Sequence, residues 1–431
     1  MGGDNSKPWS VSATLRGFYD DNYATASNDS GNKHGSFGMS ISPSVAFKFP
    51  MDQTTLGFRY TYGASWYQER TRLSSDNSAW DQSHNFEGML SHSFNERFSV
   101  DVMDSFVISQ EPGLIDATGV NTFPYRTAGD NIRNHGEITF NGALTRQLSF
   151  VAGYQNTFYD YENKSPLGGA NAPGGIVDTS LSGLLDRMEH EALFNLRWQA
   201  LPQTVLIGGY NYRQVNYTSD EYVANAGVML DANNLPVNDL RRAETRDSRS
   251  HIFYGGFDQN FSKDLIFTLR AGVQLTEYPN APANEPNDSS TSPWGSVNLT
   301  YVYLPGSSVQ VGYRYARNQT DVVAPYSDVT TNYMNSITSD QETGVLFALI
   351  NHSFSPKLTG RLTAQWQAST FYGGLYDGKN EDFFDLGGNL TYRFNQHFSG
   401  ELGYNYSQLT SDIVGRDYDR NYVYLGVTAT Y

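Results

Sequence analysis

Charged side chains recur along this chain at positions that share a parity with small polar residues: Arg16, Arg59, Glu87, Arg197, Arg270, Arg314, Arg361, Asp385, Arg393 and Glu401. Of the 29 cations, 22 are Arg and seven are Lys. A guanidinium is a planar fork of donors that holds carboxylate, phosphate or hydroxyl groups at two points, which an ammonium cannot do. Two roles are open to such a set. The charges can pair across neighbouring strands and stiffen a wall, or they can form a ladder that filters anions or sugars moving past it.

Other chemistry is harder to assemble. The eight histidines, His34, His84, His92, His135, His190, His251, His352 and His397, are scattered and form no His-Glu-x-x-His run. His92 lies between Ser91 and Ser93, a pairing expected by chance in a Ser-rich chain. The glycines at Gly168-Gly169 and Gly174-Gly175 follow no strand-to-helix pattern that would cradle a phosphate, and read as loop glycines. Acids gather at Asp20, Asp21 and Asp29, at Asp231 and Asp239, and at Asp412, Asp417 and Asp419. They lack the spacing of a twelve-residue calcium loop and read as solvated surface. The expectation is therefore no catalytic residue, no metal site, no cofactor and no enzymatic activity.

The absence of cysteine excludes a disulfide framework, a Cys-ligated zinc site and an iron–sulfur cluster. A net charge of −16 argues against nucleic acid as a partner. Tyr 30, Phe 25 and Gly 40 in 431 residues suit neither disorder nor a helical enzyme. No run of about 18 apolar residues exists to make a membrane helix.

The elements that must carry the charges show a period of two. In the last segment Val423, Leu425, Val427, Ala429 and Tyr431 share one face, against Tyr424, Gly426, Thr428 and Thr430. Phe384, Leu386, Leu390, Tyr392 and Phe394 oppose Asp385, Gly387, Asn389, Thr391 and Arg393 in the same way. Transmembrane β-strands need about 9–11 tilted residues to cross the hydrocarbon, and segments of this length recur from end to end. Short turns at Pro50, Asn95, Arg146, Leu201, Ser262, Pro305, Ser355 and Asn395 are 40 to 61 residues apart, with longer polar stretches between them. Short turns at one end and long loops at the other predict a closed, antiparallel, up-and-down transmembrane β-barrel of about 18 strands. The short turns would be periplasmic and the long loops extracellular. Four-stranded propeller blades fit less well, because each interval holds two long segments and no shared motif.

Aromatics crowd the short turns: Phe47, Phe49, Phe94, Phe98, Trp198, Phe261, Phe354, Phe394 and Tyr431 are examples. Rings at one common height make a belt at a membrane boundary. Residues 1–9 are expected to be a periplasmic N-terminal segment and 10–431 a single barrel domain. Met1 to Trp9 is polar and shows no signal peptide, so the sequence reads as a mature chain. Two local readings are less regular. Parity from Val100, Val102, Phe106 and Ile108 turns Asp104 toward lipid, which predicts a bulge there or a misplaced strand. The apolar stretch 222–230 inside a long loop is expected to fold into the pore or to cap it as a short helix.

On these residues the chain resembles outer-membrane barrels of the Gram-negative type. The segment Val423, Leu425, Val427, Ala429 and Tyr431 is similar to the terminal signal read by the barrel assembly machinery. In architecture and composition the whole chain is similar to the type-two β-barrel porin families found around exopolysaccharide clusters. The resemblance implies a bacterial outer-membrane location, lipids and the assembly machinery as partners, and passive diffusion of small hydrophilic solutes or ions. It leaves open a homo-oligomer, an exopolysaccharide-export barrel, and a scaffold that grips a partner through its extracellular loops.

Overall fold

Alternating apolar and polar residues cannot sit still on a helix, but on a strand they sort cleanly onto two faces. In the computed structural model, which describes residues 7–70, 79–109, 130–162, 180–230, 236–281, 288–322 and 337–431, they do so throughout. The first strands are β1 (Trp9–Asp20), β2 (Ser36–Pro50), β3 (Thr54–Tyr67), β4 (Trp80–Ser93), β5 (Phe98–Ser109), β6 (Asn131–Ala143) and β7 (Leu148–Tyr161). A short helix, α1 (Leu181–Leu185), precedes β8 (Arg187–Leu201) and β9 (Thr204–Tyr217). A separate hairpin follows, β10 (Tyr222–Leu230) with β11 (Pro236–Arg242). Then come β12 (Ser248–Asn260), β13 (Leu265–Glu277), β14 (Ser289–Leu304), β15 (Ser307–Asn318) and β16 (Asp340–Ser353). The last four are β17 (Leu358–Tyr372), β18 (Asn380–Arg393), β19 (Phe398–Ser411) and β20 (Tyr418–Thr430).

Leaving out β10 and β11, these make one 18-stranded antiparallel sheet in which each strand pairs with its neighbour in sequence. The sheet closes on itself where β1 pairs with β20, Ser12 opposite Thr430 through to Asp20 opposite Tyr422. Beyond the ladder, Val11 and Tyr431 exchange both backbone hydrogen bonds, at 3.0 and 2.8 Å. Closure satisfies every edge, which is what allows a sheet to stand in lipid. At a strand spacing near 4.8 Å and a tilt near 40°, 18 strands enclose a cylinder roughly 35 Å across between opposite backbones.

The short turns are built by their own side chains. Asn95 accepts from the amides of Arg97 and Phe98 at 2.8 and 3.1 Å, and Asn395 does the same for His397 and Phe398. Thr145, Ser262 and Ser355 play that part at three other turns. A short polar side chain that caps amides two and three residues on is why these residue types mark turns. In the Pro305-Gly306 turn the glycine takes φ +75°, which a side chain would resist.

The outer face is apolar and solvent-accessible. Leu15, Phe47, Phe58, Phe194, Phe253, Leu402, Leu425 and Tyr431 are all exposed there. The predicted signal residues Val423, Leu425 and Val427 lie on that outer face of β20, with Ala429 on the same parity. Aromatic contacts run near the short turns, among them Phe98 with Phe140, Phe140 with Phe150 and Phe150 with Phe194, at ring separations of 5.9 to 6.0 Å.

Two expectations are corrected. Residues 222–230 form a strand, paired with Pro236–Arg242, and are not helical. β5 is neither bulged nor misplaced: its register is continuous with β4 and β6, and Asp104 stands on the outer face. Of the glycine pairs singled out above, Gly168-Gly169 and Gly174-Gly175 lie outside the described residues, as does Asp231.

Candidate pore and its constriction

Parity sends all ten predicted charges to the inner face, opposite the exposed apolar residues of their strands. They do not form an evenly spaced ladder. Arg16 on β1 pairs with Glu401 on β19, reaching over β20 between them. The residue beneath the pair is Gly426, where a Cβ would stand 2.8 Å from Arg16 and from Glu401. Glycine is needed there because the ion pair occupies the space of any side chain. Arg59 pairs with Glu87 at 3.0 Å, directly across β3 and β4. Arg197 and Arg270 both hold Asp258, at 2.9 and 2.6 Å, and so tie together the wall from β8 to β13.

The others stand differently. Arg314 lies between Ser296 and Val345 in register, and Asp385 lies half-buried between Gln365 and Ser407. Arg361 and Arg393 are exposed on the inner face and make no ion pair among the described residues. Six of the ten predicted charges are therefore wall pairing, brought together by cross-strand register, and Arg361 and Arg393 are solvated cations on the inner face.

A denser layer lies above these, toward the long loops. On β8, Glu189 holds Arg187 at 2.7 Å and Arg213 of β9 at 2.6 Å, with all three largely buried. Glu191 accepts from Gln155 at 2.9 Å and from Asn211 at 2.7 Å. Buried ions of this kind persist only where each has a partner.

The mouth is crossed by a strap. The ladder between β14 and β15 ends at Tyr315. Beyond it the side chain of Gln274 on β13 replaces the missing strand: its Nε2 donates to the Arg317 carbonyl at 3.1 Å and its Oε1 accepts from the Arg317 amide at 3.3 Å. Released from β14, the chain after Arg317 runs inward as residues 318–322. On one side Arg213 of β9 donates to Asn318 and Gln319 at 3.2 and 2.8 Å, and Gln319 donates to Ser248 of β12 at 3.2 Å. Arg246 donates to the carbonyls of Thr320 and Leu184. On the other side Asp321 accepts from Arg416 at 3.2 Å, and Arg416 also pairs with Glu381 of β18 at 2.8 Å. Val322 packs in a buried cluster with Phe371 and Ile413. β9 and β18 have six strands between them around the cylinder, so the strap is a chord across a wide sector of the mouth.

Arg246 is 1% exposed and rests 4.5 Å from the Tyr217 ring. Burial pulls its guanidinium below the ordinary value, while Tyr217 and Asp321 oppose that shift. Next to it Asp247 accepts from the Tyr217 amide at 2.7 Å and from Asn280 at 2.9 Å. Burial outweighs these bonds and holds its carboxyl up at about 6.

The histidines do no comparable work. His84, His190 and His251 lie on the outer face, each bonded to a tyrosine: Tyr60, Tyr154 and Tyr210, at 2.9, 2.7 and 2.8 Å. His92 bonds Thr54 at 2.8 Å, while Ser91 donates to Asp101 at 2.6 Å, so the adjacent Ser and His do not meet.

Residues 332–431 match a family model described as "Putative beta-barrel porin 2". The chain is also similar in fold to several outer-membrane proteins of known structure. OccAB3 of Acinetobacter baumannii is 12% identical, with 98% of this chain and 99% of that chain covered and a TM-score of 0.43. The outer membrane protein opdK of Pseudomonas aeruginosa is 9% identical, with coverage of 98% and 99% and a TM-score of 0.45. The siderophore receptor PiuA of Acinetobacter baumannii is 9% identical, with coverage of 99% and 82% and a TM-score of 0.46. No curated protein matches the chain.

Sequence reasoning missed Asp258, Glu189, Arg187 and Arg213, although all are on inner-facing parities that the period already marked. Arg246, Asp321 and Arg416 carry no such mark, because they sit between strands.

Proposed function

We propose that this chain is an outer-membrane channel for passive diffusion of small hydrophilic solutes, its short turns periplasmic and its strap on the extracellular side. The observation that carries the reading is the closed 18-stranded cylinder, apolar outside and lined within by Thr, Ser, Asn and paired charges. A cylinder this wide cannot be filled by its own side chains, so water occupies it. The wall pairs neutralise one another, and the strap sets the aperture. The ten inner-facing charges are pore-lining in this reading. Arg361 and Arg393 are the cations that passing anions would meet, and Asp385 is the carboxyl facing cations.

The reading is of a channel and not a catalyst. Six of the ten inner charges are engaged in ion pairs, and Ser91 and His92 are turned to different partners. The test is conductance of purified protein in a planar lipid bilayer. Stepwise, ohmic openings are expected. A barrel that inserts and stays silent across voltage and salt would refute the proposal.

A further inference from the structure

On the outer face, charge and height are strongly linked. Acids on this face stand near the long-loop ends of their strands: Asp160 on β7, Glu277 on β13, Asp382 on β18 and Asp419 on β20. Asp104 does not. It lies six residues above Phe98, the first residue of β5 after its short turn. At about 3.3 Å per residue and a tilt near 40°, that is roughly 15 Å up, inside an apolar band about 25 Å tall. Asp104 is exposed, and its carboxylate accepts from Asn134 Nδ2 of β6 at 3.1 and 3.3 Å.

The surroundings are flat. In register Asp104 lies between Gly88 of β4 and Gly136 of β6. A Cβ on Gly136 would come within 3.3 Å of the Asp104 carboxylate, so the acid lies down over that glycine. Lipid tails offer no hydrogen bond to a carboxylate, which can accept about four, and here one amide serves it. The amide's second N–H makes only a long 3.4 Å contact with the Ser105 carbonyl, so a donor that can turn outward sits beside the acceptor in a patch that complements itself.

The geometry points to this β4–β6 face as a contact between two copies of this chain within the membrane. Each Asn134 would donate its second N–H to the Asp104 of the other copy, in a two-fold arrangement where residue i meets j and j meets i. A single cation from elsewhere on a copy would not serve, since at that height the outer face among the described residues carries no Arg or Lys. Gly88 and Gly136 allow the two walls to approach closely. The inference rests on the membrane reading above.

The chain has no cysteine, so one can be placed at will. In reconstituted lipid vesicles treated with a membrane-permeant oxidant, Val102→Cys, beside Asp104 on the outer face of β5, is expected to give a covalent dimer. Leu346→Cys, exposed on β16 at the opposite wall, is expected to stay monomeric. Adding Asp104→Leu to Val102→Cys should cut the dimer yield about tenfold, the value of a lost hydrogen bond to a charged group. Asp104→Asn, which keeps an acceptor, should retain most of the yield. A monomeric Val102→Cys, equal cross-linking at both positions, or a yield indifferent to Asp104→Leu would each overturn the contact. In native membranes, an adduct of Val102→Cys with a different protein would overturn the choice of a second copy. Conductance measured on the same preparations separates the two ideas: a barrel that conducts without cross-linking loses only the contact.

Discussion

The lower wall of the cylinder and its mouth hold charge in opposite ways. Near the short turns, Arg59 and Glu87 pair directly across a ladder with more than a third of each side chain exposed to the lumen. At the mouth, Glu189 is gripped by two arginines, and Arg246 is wholly enclosed with carbonyl partners. The lower wall follows from strand geometry alone, because register places each pair. The mouth depends also on residues that sit between strands, such as Arg246 with Thr320 and Arg416 with Asp321, 74 and 95 residues apart in sequence. The lower wall should therefore tolerate substitution, and the mouth should not.

The largest effect is expected from Glu189→Ala, which leaves Arg187 and Arg213 as buried cations without their shared acid. Breaking a buried ion pair on one side costs about 3–5 kcal/mol, to be read from urea unfolding of the barrel in lipid. A loss as small as that of an exposed pair would erase the contrast between the two regions. Next comes Arg416→Ala, which frees the strap from β18. Losing charged hydrogen bonds of this kind costs about 1.5–3 kcal/mol, so the strap should leave its place for much of the time. Single-channel conductance would rise, and an unchanged conductance would show that the strap does not set the aperture.

Smaller effects should come from below. Arg59→Ala removes a solvated pair, and its unfolding free energy should move by no more than about 1 kcal/mol. Arg361→Glu reverses a charge facing water. One unit charge about 10 Å away in water is worth about 0.4 kcal/mol, so reversal changes local ion concentrations roughly fourfold. Reversal potentials in a salt gradient should shift toward cations, without loss of stability. An unchanged reversal potential would place Arg361 away from the ion path.

This contrast also explains what could be read in advance. The period of two located the 18 barrel strands, because Leu386, Leu390 and Tyr392 must face away from Asp385, Asn389 and Arg393 on any strand. The turns were legible for a local reason, an Asn, Ser or Thr whose side chain caps its own loop. Pairing partners such as Asp258 for Arg197 depend on register between strands 61 residues apart, which alternation does not specify. The strap was invisible because nothing in residues 318–322 signals where Arg246 and Arg416 will arrive. Stretch 222–230 misled for a related reason: a short apolar run has no period long enough to separate helix from strand. Asp104 looked like an error because alternation does not show that Asn134 of the next strand will meet its carboxylate.

The seam between β1 and β20 has a consequence for how the molecule is made. A growing polypeptide still missing its final thirteen-residue strand would carry two raw margins, each ready to recruit a stranger. No partial sheet is a smaller working version of the whole, because the ring exists only once β20 pairs with β1. For the same reason β1 and β20, already zipped side by side, could be linked directly and the ring reopened at another turn with its shape intact.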